Sequence, residues 1–221
     1  MNTIKRILLG SIALVLAYFA FSIYLDSVFI RPQKVVLDDY FRPGDKLVSR
    51  FEGFDQTVLG VKDGWLHTRL EVMPNAAGPP EHAHVHFTET FTVKKGKLSI
   101  LINGEKRVLK EGETISISPM TMHKPFNETG ETVIIESDDT KTLPVEFGYH
   151  LSQMYGFMDM HPSGPSMPQM LMQLSVYGDD FDSIIAGPPV GIQRAMRTLI
   201  APTARLFGYS SYYEEFKPKR S

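Results

Sequence analysis

The chain has 221 residues, of which 43% are hydrophobic and 22% are charged, so one well-packed domain with appendages is expected rather than a disordered chain. The formal net charge of -2 argues against nucleic acid as a partner, because nucleic-acid binding needs a basic surface. The sequence has no cysteine, so the fold uses no disulfide and no thiolate serves as a metal ligand or nucleophile.

The N-terminus predicts one membrane-spanning helix, a signal anchor within residues 1–31. Lys5 and Arg6 precede an uncharged run that extends to Leu25, long enough to cross most of a hydrocarbon core of about 30 Å. The basic pair favours a cytoplasmic N-terminus, with the rest of the chain exported to the periplasmic or extracellular side. A signal peptide cleaved near Ala20 is the alternative, and the protein is then secreted. A buried core helix is disfavoured because apolar residues lie on every face.

The middle of the chain predicts a tether followed by a β-barrel. Residues 32–45 are interpreted as the tether, since Arg42-Pro43-Gly44-Asp45 is typical of a turn. Residues 46–148 contain short strands separated by turn residues, at a spacing typical of a sandwich or barrel. Asn103-Gly104 predicts a tight hairpin between two of these strands. We therefore expect an all-β domain with strands near 47–51, 57–61, 65–72, 89–93, 98–102, 106–109, 114–118 and 132–136.

Residues 149–221 predict a mainly helical extension that packs on the barrel or on a second subunit. Helical character covers 149–160, 167–177 and 190–206, with proline and glycine between these segments. The methionine-rich stretch from Met154 to Met172 has two interpretations. Its thioethers, beside His161, suit Cu(I), but adaptable packing on the barrel is the favoured interpretation.

Two short segments hold the candidate site, because four of the seven histidines fall inside them: His82, His84 and His86 in the first, and His123 in the second. Residues two apart on a strand point to one face, so two of the first three imidazoles are expected to converge. Glu89 joins that face only if a turn or bulge follows His84. Imidazole and carboxylate ligands together suit Fe, Mn, Ni, Cu or Zn.

The pattern His82-x-His84-x4-Glu89-x6-Gly96, followed by Gly112-x10-His123-x3-Asn127, resembles the two motifs of the cupin superfamily. The resemblance covers about residues 60–140. It implies a double-stranded β-helix, or jelly roll, with one divalent metal ion inside the barrel. By this resemblance the metal ligands are His82, His84, Glu89 and His123.

The sequence departs from the family pattern in two loops. Ser118 and Met120 stand where the second motif usually has proline and glycine, and Gly78 lies closer to His82 than the first glycine of the family does. Both differences affect loop shape more than ligand identity. Four further residues are expected beside the ligands or in the pocket: His86, Phe91, Met120 and Asn127.

The resemblance also implies a function. We expect a metal-dependent oxidoreductase of dioxygenase type that acts on a small chelating substrate, with Glu89 as both ligand and catalytic base. A non-enzymatic ligand-binding or sensor module is the alternative. A catalytic metal keeps an exchangeable position whereas a structural metal is coordinatively closed, which separates the two hypotheses. A homodimer is expected because cupins often pair.

Overall fold

The computed structural model describes residues 3–29, 35–137 and 141–218. Within these ranges the helices and strands follow one another as α1 (Thr3–Phe29), β1 (Lys46–Ser49), β2 (Phe54–Lys62), β3 (Trp65–Val72), β4 (His82–Ala83), β5 (Glu89–Lys95), β6 (Lys97–Ile102), β7 (Glu105–Lys110), β8 (Thr114–Ile117), β9 (His123–Phe126), β10 (Val133–Glu136), β11 (Leu143–Pro144), α2 (Val145–Asp159), α3 (Met167–Tyr177), β12 (Ile184–Ile185) and α4 (Val190–Leu206).

The described strands form two antiparallel sheets that face each other. The seven-stranded sheet has the order β1-β2-β3-β10-β5-β8, with β11 also paired to β3. The five-stranded sheet has the order β12-β4-β9-β6-β7. Buried and less buried residues alternate along β2 and β3, as expected for strands with one face against a core. The most completely buried core residues are Leu47, Val58, Leu66, Val72, Val93, Leu98, Ile100 and Val133.

The predicted hairpin is confirmed. Asn103 and Gly104 have φ angles of 49° and 81°, and a type I′ turn requires a positive φ at both central residues. The turn joins β6 to β7 in the register Ile102↔Glu105. The strand predicted over residues 65–72 has the same bounds as β3. Short strands such as β4, β9 and β12 were not predicted, because two to four residues carry too little periodicity to be recognised.

The barrel consists of antiparallel sheets, and the chain adds an N-terminal apolar helix before it and helices after it. The all-β class therefore applies to the barrel and not to the whole chain, since α1 to α4 contain 27, 15, 11 and 17 residues. The helices α3 and α4 have their predicted bounds, whereas α2 begins at Val145 instead of 149 because Pro144 precedes its first turn.

The C-terminal extension is part of the barrel sheet as well as a helical layer. Its strand β12 pairs with β4 in the register Ile184↔Ala83 and Ile185↔His82. Helix α2 packs on β1, which is an edge strand of the larger sheet. Sequence periodicity predicted a helical extension, but not that a segment of it would lie directly beside the first histidine motif.

Helix α1 is long and apolar enough to cross a membrane, and its composition also suits a signal sequence. Only 6% of its apolar window is buried, so α1 is not a core helix of the barrel. Its C-terminal half contacts α4, where the Tyr18 hydroxyl donates to Thr203 Oγ1 at 3.2 Å and Asp26 pairs with Arg205 at 2.7 Å. The predicted boundary between the anchor and the tether, at residues 31 and 32, lies outside the described residues.

Candidate metal centre

Four side chains from both sheets meet at one end of the barrel. His82 in β4 lies opposite His123 in β9, and His84 follows directly after β4. Glu89 opens β5 in the other sheet. One ligand-type atom from each residue lies within 4.8 Å of every other: the cluster is His82, His84, Glu89 and His123. Segments that are far apart in sequence are thus brought together by strand pairing.

The carboxylate of Glu89 lies between two of the imidazoles. Its Oε2 is 2.8 Å from His123 Nε2 and 3.4 Å from His84 Nε2. His84 and His123 are almost completely buried, whereas Glu89 keeps an 18% exposed side chain. Glu89 and the partly exposed His82 are therefore the members of the cluster that the neighbouring space reaches.

Each histidine of the cluster is held through Nδ1 by a backbone carbonyl. The acceptors are Pro80 O for His82 at 2.9 Å, Asp182 O for His84 at 2.8 Å, and Thr121 O for His123 at 2.9 Å. A carbonyl oxygen only accepts, so Nδ1 carries a hydrogen in each ring, and in a neutral ring the Nε2 lone pair is left for a ligand. A protonated His123 instead donates from Nε2 to Glu89. Metal-bound histidines are fixed in this way by outer partners.

The donor set fits one metal ion. His84 Nε2 is buried and has no hydrogen-bond partner among the described residues, although the Glu89 carboxylate is nearby. A buried polar atom without a partner is costly, and a metal ion would satisfy it. Three imidazole nitrogens and one carboxylate oxygen are ligands that divalent transition metals accept. The cluster is therefore compatible with a single metal ion.

Burial and contacts within the cluster shift the pKa values of three of its residues. Burial lowers the pKa of His82 to about 3, so its ring is neutral at physiological pH. Burial opposes ionisation of Glu89, but the hydrogen bond from His123 and the proximity of His84 outweigh it and lower the pKa of the carboxyl. The same contact outweighs burial at His123 and raises the pKa of that ring. Glu89 is thus ionised, as a metal ligand must be.

The turn predicted after His84 is present and is built by a residue that the sequence analysis did not select. The carboxylate of Asp182 accepts hydrogen bonds from Val85 N at 2.8 Å and His86 N at 2.9 Å. Its backbone carbonyl is the acceptor for His84. Asp182 comes from the C-terminal extension, 98 residues after His84, and no local motif marks it. Its role becomes visible only when β12 is paired with β4.

A cavity of about 320 Å³ opens beside the cluster and includes His82 and Glu89 in its wall. The rest of the wall is mainly apolar and comes from both the barrel and the extension. Phe91, one of the predicted pocket residues, lines it, as do Phe54, Leu70, Phe147, Met154 and Met158. The volume is within the range of small-molecule sites, which begins at about 300 Å³.

The other predicted pocket residues lie outside the cluster. His86 has a 68% exposed side chain and contacts Asp182 instead, with Nδ1 at 3.0 Å from Oδ1. Met120 is 51% exposed and has a φ of 63°, at the position where the family usually has glycine. Asn127 is buried and accepts a hydrogen bond from Thr129 N at 2.9 Å, so it shapes its own loop.

The methionine-rich segment contributes to the cavity wall. Met154 and Met158 are 4% and 3% exposed and belong to the hydrophobic core. The nearby His161 has both ring nitrogens occupied, by Phe157 O at 2.9 Å and by Gln169 Nε2 at 3.0 Å. This arrangement favours packing over the Cu(I) interpretation.

Comparisons with known proteins agree with the barrel and its motif. Residues 68–136 match the family model of the cupin domain. Similar solved structures include KdgF from Halomonas sp., which is 20% identical over 38% of this chain and 76% of that chain, with a TM-score of 0.35. An RmlC-like cupin from Shewanella frigidimarina is 22% identical over 40% of this chain and 80% of that chain, with a TM-score of 0.34. Pac13 from Streptomyces, described as a nucleoside dehydratase, is 19% identical over 48% of this chain and 82% of that chain, with a TM-score of 0.34. No curated protein sequence matches the chain.

The segment that matches the cupin family contains all four residues of the cluster. Residues 68–136 are therefore similar to the cupin domain. That similarity leaves the reaction open, because one fold carries many chemistries and the site must supply the argument.

Proposed function

We propose that the chain is a membrane-anchored cupin that binds one divalent metal ion through His82, His84, Glu89 and His123. The metal is one of Fe, Mn, Ni, Cu or Zn. It holds a small chelating ligand in the adjoining cavity, and the chemistry is that of a dioxygenase-type oxidoreductase. The barrel is exported to the periplasmic or extracellular side, while α1 stays in the membrane.

The observation that carries the proposal is the unpartnered Nε2 of His84. This atom is buried beside an ionised carboxylate, while the opposite ring nitrogen is fixed by Asp182. Without a metal ion, the arrangement leaves a lone pair unsatisfied in a site that is otherwise well bonded. The cavity beside it supports ligand binding, because Glu89 and His82 belong to both the cluster and the cavity wall.

A bound redox-active metal would supply Lewis acidity and an open coordination position for ligand and dioxygen. The chain itself fixes the three rings through carbonyl acceptors and surrounds the ligand with apolar side chains that exclude water. A carboxylate with a lowered pKa is a weak base, so the structure supports Glu89 more strongly as a ligand than as the predicted proton acceptor.

The contacts of α1 support an anchor that is retained. A signal peptide cleaved near Ala20 would remove Tyr18, whose hydroxyl is bonded to Thr203. Intact mass and membrane fractionation of the expressed protein test this part. The uncleaved mass in the membrane fraction supports the anchor, and a soluble, shortened protein contradicts it.

Metal content measured by elemental mass spectrometry on the full chain in detergent tests the site. We expect one equivalent of a divalent transition metal, with near-complete loss in His84→Ala and Glu89→Gln. His86→Ala is the matched control, because it removes an exposed imidazole two residues away and should retain metal. Equal metal content in all four proteins would contradict the proposal. Dioxygen consumption with chelating substrates then tests the reaction class.

A non-enzymatic sensor is the second candidate, and one feature favours it. Asp182, whose carbonyl fixes the His84 ring, belongs to the C-terminal extension, and helix α4 of that extension contacts α1. The site is thus connected to the membrane helix. A sensor would bind metal and ligand without consuming dioxygen. The homodimer expected from the resemblance stays a prediction, which light scattering of the detergent-solubilised protein tests.

A further inference from the structure

Glu52 is a buried carboxylic acid in the wall of the cavity. It lies in the loop between β1 and β2 and is 6% exposed. Among the described residues, no hydrogen-bond or ion-pair partner contacts its carboxyl group. The group lines the same cavity as Glu89 and His82. A buried polar group without a protein partner is costly, so its presence in a ligand cavity needs an explanation.

The backbone holds Glu52 in a fixed position relative to the metal motif. Its amide donates to Ser49 Oγ at 3.1 Å, and its carbonyl accepts from Gly78 N at 3.3 Å. Gly78 begins the loop that leads into β4. The carboxyl group is therefore not on a free loop but on a segment tied to the residues that carry His82.

The carboxyl group of Glu52 is a hydrogen-bond donor at neutral pH. Burial, with the nearby charge of Asp159 as a smaller cause, raises the pKa of Glu52 to about 8. A neutral carboxylic acid donates one hydrogen bond through its O–H group. The buried acid can therefore receive an oxygen atom of a bound molecule.

Tyr155 supplies a second donor in the same wall. It lies on α2, is 3% exposed, and its hydroxyl has no hydrogen-bond partner among the described residues. Burial raises its pKa, and the nearby carboxyl groups of Glu52 and Glu89 raise it further, so the phenol lies near both groups and stays protonated. Gln56 also lines the cavity, but its amide already donates to Thr68 Oγ1 at 2.8 Å.

The remaining wall limits the charge of the ligand. No lysine or arginine is found among the described residues that line the cavity, so an anionic group far from the metal would have no counter-ion there. A cationic group would favour an ionised Glu52, which burial opposes. The mainly apolar wall and its volume of about 320 Å³ fit an uncharged molecule of modest size.

We infer that Glu52 and Tyr155 form a second polar subsite, which binds the carbonyl or hydroxyl oxygen of an uncharged, otherwise apolar ligand whose chelating end lies on the metal. This inference rests on the proposed function, since the chelating end needs the metal ion. It adds a ligand class: apolar molecules with oxygen groups at two separated positions.

Matched pairs of catechols test the inference on the full, Zn(II)-loaded chain in detergent by isothermal titration calorimetry. The two catechols of a pair carry tails of equal length, one alkyl and the other ω-hydroxyalkyl. The tail length is increased stepwise from one pair to the next. We expect one length at which the hydroxyl tail binds about tenfold more tightly than its alkyl partner, the effect of one good hydrogen bond to a buried acid. Glu52→Leu and Tyr155→Phe should each reduce that preference, whereas Glu52→Gln, which still donates, should keep most of it.

The controls separate this inference from the metal proposal. Glu111→Gln removes an exposed carboxyl group and should leave the preference unchanged. If no catechol binds the wild type better than His84→Ala, the metal proposal fails and the ligand class fails with it. If catechols bind in a metal-dependent way but no tail length shows a preference that Glu52→Leu removes, the second subsite alone is refuted. A tighter fit of ω-aminoalkyl tails would refute the uncharged class.

Discussion

The backbone carbonyl of Asp182 accepts a hydrogen bond from Nδ1 of His84 at 2.8 Å. The two residues are 98 positions apart, in the C-terminal extension and the first histidine motif. The contact fixes the ring orientation and the tautomer of His84, so the extension determines how that residue presents Nε2. The extension is thus part of the candidate site and not only a covering layer.

Asp182→Ala should weaken metal binding although Asp182 is not in the cluster. The substitution removes the carboxylate that holds Val85 N and His86 N, and the turn after His84 then loses its support. Loss of outer partners typically lowers metal affinity about 10- to 100-fold, and we expect the lower part of that range because the carbonyl remains. Competition titration with a chromophoric chelator measures it.

Asp182→Asn is the matched control, since its amide oxygen can still accept one of the two amide hydrogens. It should lose less affinity than Asp182→Ala. Wild-type affinity in Asp182→Ala would show that the carbonyl contact and the strand pairing of β12 are sufficient.

Gly78→Ala should severely impair folding at the site. A Cβ at Gly78 would lie 2.0 Å from the carbonyl oxygen of Pro125 in β9, and its φ of 65° is strained for alanine. Gly112→Ala separates the two effects, because Gly112 has a φ of 83° but no atom within 4 Å of its added Cβ. We expect Gly112→Ala to cost about 1 kcal/mol from backbone strain. Gly78→Ala should cost several-fold more, measured by thermal unfolding with bound metal as a second readout.

Equal unfolding temperatures for the two alanine variants would show that the loop before β4 can move away from Pro125. The comparison also tests the register between that loop and β9, because a shifted loop would relieve the overlap.

The sequence predicted the parts of this protein that local patterns determine. Asn103-Gly104 requires its turn, the apolar positions of 190–206 fit a helical face, and histidine spacing places His82 and His84 near each other. These features depend on neighbours within a few residues. The four-residue cluster required the family resemblance, because Glu89 and His123 reach it through pairing of distant strands.

The missed residues share one physical property. Asp182, Glu52 and Tyr155 reach the cluster or its cavity only through the packing of segments far apart in sequence, and none lies in a recognisable motif. Strand β12 has two residues, too few for a period to be visible. A buried carboxyl group such as Glu52 looks like a solvated loop residue until burial is known.

Stability should fall with rising pH because of Glu52. Between its ordinary pKa of 4.5 and its folded pKa of about 8, the unfolded chain ionises this group while the folded protein keeps it neutral. Unfolding then releases a proton, so rising pH favours unfolding by up to about 1 kcal/mol per pH unit across this window. The contribution is fully present below pH 4.5, is lost by about pH 8 and changes little above it.

The difference in unfolding free energy between wild type and Glu52→Gln isolates this effect from other titrating groups. The glutamine variant should gain stability relative to wild type from pH 5 to pH 8, measured by urea denaturation of the metal-free protein in detergent. Parallel pH profiles of the two proteins would show that Glu52 is ionised in the folded state and would remove support for its role as a donor.

Thr203→Val should loosen the contact between α1 and α4. The Thr203 hydroxyl contacts both Tyr18, at 3.2 Å, and Ser22, at 3.1 Å, and valine keeps the shape while removing both hydrogen bonds. Ser22 is buried, so its hydroxyl would lose its partner at a cost of about 1–3 kcal/mol. Hydrogen exchange of the full chain in detergent should then become faster in the C-terminal half of α4. Thr198→Val provides the comparison, since Thr198 is exposed on the same helix and its hydroxyl donates to Arg194 O within α4. Equal exchange in the two valine variants would mean that Asp26 and Arg205 hold the helices together without Thr203.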